Sequence, residues 1–333
     1  MSAKTIEEIK KLIETSSYDF LRTNEHLNNN IILLGLGGSY AYGTNIETSD
    51  IDIRGIAKNT KREILLNDGF EQVVNEATDT TIYSFSKIIK LLSNCNPNVI
   101  ELLGLKEEHY LDIKPIGKEL LDNKKIFLSK RAIKTFGGYA SQQLYRLQQK
   151  TLHTINEEDF SDHVAKTLQN VSDEFYEILG TRCHIYTNEK NEIMFDGNIK
   201  GVPVEKIATI SNALNNTLRE YNKRSSRNEK AIEHGKINKH MMHLVRLYYM
   251  CFDILEKEEI ITYRDKEHNL LMDIRNGKYI KDGLPNNDFK ELLHDLEKRF
   301  DYAKTHTNLP QKPNQKEIDE LCMSIASKII EEN

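Results

Sequence analysis

The feature that most constrains this chain is a glycine-rich turn followed by two alternating acids, within residues 33–56 (LLGLGGSYAYGTNIETSDIDIRGI). An apolar run at residues 31–34 has the length of a buried strand. The glycines of residues 35–39 (GLGGS) then predict a turn where bare backbone can approach a ligand closely. Next, residues 49–57 predict a strand that carries Asp50 and Asp52 on one face.

Two carboxylates on one face repel each other, so their placement does not favour stability alone. A divalent cation between them would remove the repulsion. Mg²⁺ suits such a site because it uses few protein carboxylates and completes its shell with substrate phosphates. The alternative interpretation is a glycine-rich hairpin followed by a solvent-exposed acidic strand with no ligand.

The string GGSYAYGTNIETSDIDIRGI resembles the signature of the DNA polymerase β-like nucleotidyltransferase superfamily, and within it the phage and bacterial YcgL/RlaP-like branch. The resemblance implies that Gly38 and Ser39 hold a nucleoside triphosphate such as ATP. It also implies that Asp50 and Asp52 bind two metal ions, Mg²⁺ or Mn²⁺, and that a later strand supplies a third carboxylate.

For the third carboxylate we favour Asp79, which begins the segment DTTIYSF, over Glu76 on a predicted turn. The resemblance supports Asp79 because the family pattern runs from an acid through a strand to a lysine on the next helix, then to Asn-Pro and a glutamate. The matching positions here are Asp79, Lys87, Asn96-Pro97 and Glu101. Lys87 is expected either to reach phosphate or to pair with Glu101.

The segment KHMMHLVRL predicts a helix that places Lys239, His243 and Arg246 on one face. Such a basic face suits a contact with phosphates, although an ordinary solvated face is the alternative. The resemblance favours the first interpretation, because an HxxRL helix and a later IRNGK-like segment at residues 274–278 recur in the family. His240 and His243 lack a third ligand at metal spacing, which excludes zinc.

Two residues close to the acids have more modest expected roles. Arg54 is expected to point away from Asp52 and to serve as a structural ion-pair partner. Tyr42, in the loop after the turn, either packs in the core or stacks near the nucleotide.

The composition excludes several classes of protein. A formal charge of −5 and a pI near 6.2 give no global bias toward nucleic acid or membrane, so a contact with a polyanion requires a local patch. The four cysteines are scattered without a CxxC pair, which indicates reduced thiols rather than a zinc site or a disulfide framework. No signal peptide or long apolar span is present, and a cytoplasmic protein is expected.

The element pattern predicts an α/β (α+β) nucleotidyltransferase fold with a small mixed sheet, followed by a mostly α-helical C-terminal domain that completes the cleft. At 333 residues the chain is long enough for two domains, placed at 1–125 and 126–333. The predicted helices are 3–26, 85–94, 99–105, 126–150, 160–180, 203–223, 236–257, 287–304 and 315–331. The predicted strands are 31–35, 49–57, 70–75 and 79–85, with a hairpin at 183–196.

The function expected from these features is transfer of a nucleoside monophosphate from a nucleoside triphosphate to an acceptor hydroxyl. An RNA end is the first acceptor, and a protein hydroxyl or a small molecule comes next. Basic residues interleaved with tyrosines would suit an RNA end; they are Lys130, Arg131, Lys134, Tyr145, Arg146, Lys150 and residues 223–227. The alternative of another class is a non-catalytic regulator that only senses nucleotide.

Overall fold

A computed structural model of the chain describes residues 3–140, 176, 184–188, 193–197, 200, 201, 203, 235–281 and 284–331. Contacts between Cα atoms divide the chain into two compact units. The first comprises Met1–Tyr145, Asn238–Ile280 and Pro285–Asn333, and the second Arg146–Ile237 and Lys281–Leu284. A division between domains at residue 125 stays a prediction.

The first unit is built on a five-stranded mixed sheet, as the sequence predicted. Its strands are β1 (Ile31–Leu36), β2 (Ile53–Ala57), β3 (Gln72–Asn75), β4 (Thr80–Ser84) and β5 (Tyr110–Ile113). They lie in the order β3-β4-β2-β1-β5. Only the β2–β4 pair of this sheet is parallel; the other three pairs are antiparallel.

Helices cover both faces of this sheet and extend through the C-terminal half, which is mostly helical as expected. Those of the first 140 residues are α1 (Ile6–Leu12), α2 (Phe20–Thr23), α3 (Gly38–Tyr42), α4 (Lys61–Leu66), α5 (Phe85–Ser93), α6 (Pro97–Ile100), α7 (Pro115–Asp122) and α8 (131–140). The later ones are α9 (Gly235–Lys257), α10 (His268–Arg275), α11 (Asn287–His306) and α12 (Gln315–Glu331). Short 3₁₀ turns lie at Ser16–Tyr18, Glu76–Thr78, Glu101–Gly104, Glu107–His109 and Lys124–Phe127.

The two faces of the sheet are buried by different parts of the chain. One face, which includes Leu34, Ile53 and Ile82, packs against the N-terminal segment through side chains such as Ile13 and Leu27. The other face joins the main core. That core draws buried residues from β1 and β2, from α3 and α5, and from α9, α11 and α12. The C-terminal helices therefore share one hydrophobic core with the sheet, and they hold α3 against it.

Several predicted helix starts are confirmed by their capping contacts. Thr5 and Glu8 form a reciprocal capping box at α1. Ser84 accepts a hydrogen bond from the Lys87 backbone N–H at α5. At α12, the Asn314 side chain hydrogen-bonds Glu317 at 2.7 Å.

Other sequence expectations were wrong in detail. The predicted opening helix 3–26 is broken into α1, a 3₁₀ turn and α2. The connection expected near residues 61–68 contains α4, and β5, α7 and α10 were not predicted. The strand expected at 49–57 begins only at Ile53. Consequently both acids precede β2 instead of lying on it.

The second unit is described mainly by one hairpin. Strands β6 (His184–Thr187) and β7 (Ile193–Asp196) pair antiparallel, as predicted for residues 183–196. The predicted helices 160–180 and 203–223 and the end of 126–150 lie outside the described residues. Two-residue strands, β8 (Ile280–Lys281) and β9 (Leu284–Pro285), precede α11.

Two further findings bear on earlier expectations. Cys95, Cys251 and Cys322 are free thiols, and Cys183 lies outside the described residues. Among the helices that the structure describes, none is both long and apolar enough to cross a membrane.

Candidate active site

The glycine turn lies directly against the second acid. β1 ends at Leu36, and the Gly37 backbone N–H donates to the Asp52 carbonyl at 2.8 Å. Gly38 begins α3 with φ +53°, a left-handed conformation that glycine adopts readily. A Cβ on Gly38 would lie 1.8 Å from Asp52 Oδ2. The Asp52 carboxylate thus occupies the space that any larger residue at position 38 would need.

The parallel pairing of β2 and β4 brings a second acid to the same end of the sheet. Ile53 pairs with Thr80, and the Ile53 backbone N–H donates to the Asp79 carbonyl at 3.1 Å. Asp52 and Asp79, one residue before that pair, therefore lie side by side. Glu76 begins the preceding 3₁₀ turn and is exposed, so the register of the strands favours Asp79 as the neighbour of Asp52.

Arg54 connects the two acids. Its Nη2 lies 3.5 Å from Asp52 Oδ1 and 3.3 Å from Asp79 Oδ1. The expected ion pairing of Arg54 is confirmed, but the expectation that it points away from Asp52 was wrong. Residues i and i+2 of an extended segment share a face, so the side chains of positions 52 and 54 project to the same side.

Burial makes the charge of Asp52 costly. Burial first, and then the hydrogen bond and charge of Asp79, raise the pKa of Asp52 to about 7. The Arg54 guanidinium opposes this rise, while the more distant Glu101 carboxylate adds to it. Without a further cation, Asp52 is therefore only partly ionised near neutral pH. Such a shift of one buried acid beside another is typical of functional sites.

Asp50 is exposed, at the end of the loop between α3 and β2. The loop is held by Arg275 at the end of α10. Its Nη1 donates to the Thr44 carbonyl at 2.8 Å, and its Nη2 donates to Ser49 Oγ at 3.1 Å. Asp50 directly follows Ser49, the second of these two anchored residues. The family resemblance includes the segment that contains Arg275 but does not predict this role.

The structure thus assembles two of the three predicted acids. In the part of the chain that it describes, no group of three His, Cys, Asp or Glu side chains is placed to hold a metal ion. Asp52 and Asp79 nevertheless fit a divalent cation, because Mg²⁺ uses one or two protein carboxylates and substrate phosphates. Burial and the neighbouring Asp79 both raise the pKa of Asp52, and a cation bound beside it would oppose both effects.

Lys87 is not brought to the acids. It lies in α5, which follows the opposite end of β4 from Asp79. The four intervals between residues 80 and 84 correspond to about 13 Å of extended strand. The Lys87 ammonium pairs with Glu71, whereas a contact with phosphate or a pair with Glu101 was expected.

His243 and Arg246 lie together in α9, where Arg246 is buried inside the unit and His243 is half-buried. Arg246 is 7% exposed, and its guanidinium stacks over the Tyr42 ring at 3.4 Å from the centroid. Arg246 Nη2 also donates to His243 Nδ1 at 2.7 Å. The tyrosine hydroxyl donates to Glu101 Oε2, and burial raises the pKa of Glu101 although the Arg246 charge opposes this. Of the two roles left open for Tyr42, the structure shows packing.

This buried cluster ties the glycine turn to the C-terminal half of the chain. Besides the Arg246 stack, the backbone N–H of Arg264 donates to the Tyr42 carbonyl at 3.2 Å. At the end of α3, a Cβ on Gly43 would lie 2.4 Å from the Tyr263 ring. The placement of α3, and with it of Gly38 and Ser39, therefore depends on residues more than 200 positions later in the chain.

The basic clusters considered for an acceptor are described only in part. Arg131 donates to the Ser93 carbonyl at 2.8 Å and to Asn94 Oδ1 at 3.1 Å, so its guanidinium has a structural role. On the same segment, Lys130 is half-buried and Lys134 is exposed. Residues 145–150 and 223–227 lie outside the described residues.

Comparison with known proteins gives one family. Residues 8–168 match the model of RlaP, described as an RNA repair pathway DNA polymerase beta family. The match covers β1 to β5, the glycine turn and the acids. No curated protein and no solved structure matches the chain significantly.

Proposed function

We propose that the chain is a nucleotidyltransferase that transfers a nucleoside monophosphate from a nucleoside triphosphate to an acceptor hydroxyl and releases pyrophosphate, since residues 8–168 match the RNA repair pathway DNA polymerase beta family. The observation that carries this proposal is the packing of the Asp52 carboxylate against Gly38, with Asp79 alongside. A phosphate-binding turn and a pair of acids in contact are what in-line transfer at a phosphate requires.

In this proposal Asp52 and Asp79 hold the divalent metal, Mg²⁺ or Mn²⁺, and Asp50 joins them when substrate is bound. The metal would neutralise phosphate charge and lower the pKa of the attacking hydroxyl. Asp52 is suited to this task because its burial leaves it in need of a cation. One of the carboxylates accepts the proton of the acceptor hydroxyl.

Gly38 and Ser39 bind the triphosphate. The first N–H groups of a helix have no partner within it, and successive N–H groups of a turn form an anion-binding concavity. Because Gly38 lacks a Cβ, phosphate oxygens and the Asp52 carboxylate can both approach its backbone. Ser39 adds a hydroxyl donor at the same turn.

The roles of His243 and Arg246 are revised by their burial. We propose that Arg246 acts through the Tyr42 ring to fix α3, and that His243 orients the Arg246 guanidinium. A direct contact of Arg246 with nucleotide would require displacement of Tyr42 from a buried stack.

An RNA end is the proposed acceptor, because the matching family is described as part of an RNA repair pathway. The test is incubation of the protein with each α-labelled nucleoside triphosphate, Mg²⁺ or Mn²⁺, and short RNAs with defined 5′ and 3′ ends. Label on RNA that depends on the metal supports the proposal. Label on protein or on a small molecule would support nucleotide transfer but would identify a different acceptor.

Two variants make this test specific. D52N removes the charge of Asp52 while keeping its shape, and it should abolish transfer. D68N is the matched control, because Asp68 is a surface residue that pairs with Arg62 away from the turn. Binding of nucleotide without transfer to any acceptor would contradict the proposal and favour a nucleotide sensor.

A further inference from the structure

Arg54 is held by more than its two ion pairs. Its Nη1 donates to the Asp79 carbonyl at 2.8 Å and to the Ile53 carbonyl at 3.0 Å. Nη1 also lies 3.4 Å from Asp79 Oδ1. Nη2 lies 3.3 Å from Asp79 Oδ1 and 3.5 Å from Asp52 Oδ1. The two carbonyls fix the guanidinium at the end of β2 and β4, beside both acids.

The contacts to the carbonyls are shorter than the contacts to the carboxylates. A charge-assisted hydrogen bond between a guanidinium and a carboxylate usually measures about 2.7–2.9 Å. The carboxylate contacts of Arg54 are all 3.3 Å or longer. Arg54 is therefore anchored mainly through the backbone, while its charge lies next to Asp52 and Asp79 without saturating either of them.

The charge balance follows from this geometry. When both carboxylates are ionised, as metal binding requires, the guanidinium leaves the group a net charge of −1, whereas the acids alone would carry −2. A divalent ion entering alone would also be repelled by the guanidinium, whose side chain is only 22% exposed. A triphosphate brings its own negative charge, which offsets that repulsion.

We propose that Arg54 is a positioning residue of this site: it is the internal counter-cation of Asp52 and Asp79, so that the divalent metal binds together with the triphosphate and only weakly alone. The proposal rests on the proposed function and specifies the order of binding at the same site. Arg54 also holds Asp79, whose φ of +44° is left-handed, against β2 through the carbonyl contact.

The test measures Mn²⁺ binding without turnover, by electron paramagnetic resonance of the unbound ion. The proteins are the wild type, R54Q and R54K, each with and without a non-hydrolysable nucleoside triphosphate. R54Q keeps an amide donor but removes the charge. In the absence of nucleotide we expect it to bind Mn²⁺ at least about tenfold more tightly than the wild type, equivalent to about 1.4 kcal/mol. R54K keeps the charge without the fork and should lie between them.

The control is the double variant D52N/R54Q, in which the gain should disappear because one of the two carboxylates has lost its charge. Circular dichroism verifies that each variant is folded. If R54Q does not fold, R54K carries the comparison, since its ammonium cannot reach both carbonyls and both acids at once. Its nucleotide-free affinity for Mn²⁺ should then rise by about threefold or more.

Two results separate failure of this inference from failure of the proposed function. If the wild type binds Mn²⁺ and the triphosphate analogue together but R54Q gains no nucleotide-free affinity, the counter-cation role is wrong and the function stands. If the wild type binds neither ligand in any combination, the proposed function itself fails.

Discussion

Replacing Gly38 with alanine tests the contact between the turn and Asp52 most sharply. The added Cβ would lie 1.8 Å from Asp52 Oδ2 and 2.6 Å from its Cγ. Real Cβ contacts are essentially never shorter than 3.0 Å, so the carboxylate oxygen must move by about 1.2 Å. Asp52 has little room to do so, because its side chain is only 20% exposed and is flanked by Arg54.

The two consequences of this substitution have different sizes. The left-handed φ of +53° costs a non-glycine residue about 1–2 kcal/mol of folding free energy. A displacement of about 1 Å in a catalytic group can reduce the rate by about a hundredfold. We therefore expect G38A to remain folded and to lose transfer activity by about that factor.

The assay combines urea unfolding with transfer of labelled nucleotide. G201A is the matched control, because Gly201 has φ +69° but a Cβ there would meet nothing within 4 Å. It should show a similar loss of stability and unchanged transfer. The reasoning is refuted if G38A and G201A transfer nucleotide equally well, because Asp52 would then not depend on the space at Gly38.

Four further predictions follow from the same contacts. In metal-free protein, the free energy of unfolding should fall as the pH rises from about 4 to about 7. The pKa of Asp52 is 3.8 in the unfolded state and about 7 in the folded state, so the unfolded state loses its proton first. The decrease attributable to Asp52 is at most about 4 kcal/mol, and D52N should flatten it in urea titrations; equal slopes would contradict the assignment. In R275Q, the backbone amides of residues 43–50 should exchange hydrogen with solvent about tenfold faster, since a charged hydrogen bond contributes about 1.5 kcal/mol. An unchanged exchange rate would show that Arg275 does not hold this loop. Y42F should lower the free energy of unfolding by about 1–3 kcal/mol because it leaves a buried carboxylate without its donor, and a change below about 0.5 kcal/mol would argue against that hydrogen bond. K87A should retain transfer within about threefold, because Lys87 lies beyond the opposite end of β4, and a loss of a hundredfold would place it in the site after all.

Local signals in the sequence were sufficient for much of the fold. The alternation of strands and helices predicted the mixed sheet, and capping residues such as Thr5 and Ser84 predicted helix starts that the structure confirms. The proximity of Asp52 to the glycine turn was also predictable, since a strand that pairs antiparallel with β1 begins beside the end of β1. Asp79 was favoured through the family resemblance, and its place beside Asp52 could be explained only once β4 was known to pair with β2.

Contacts between distant parts of the chain could not be predicted in the same way. No periodicity indicates that Arg275 reaches Thr44 across 231 positions. Equally, the burial of Arg246 against Tyr42 depends on how α9 docks, and a basic residue on a helix is normally read as exposed. Lys87 is only eight positions after Asp79 in the sequence, but the extended strand β4 lies between them and separates the two residues in space.

The measurement that tests the central claim most directly is a crystal structure with Mn²⁺ and a non-hydrolysable nucleoside triphosphate, using the anomalous signal of manganese. The account predicts manganese bound by Asp52 and Asp79, with the triphosphate against Gly38 and Ser39. Triphosphate bound elsewhere, or Arg54 still lying between the two acids with no manganese beside them, would contradict it.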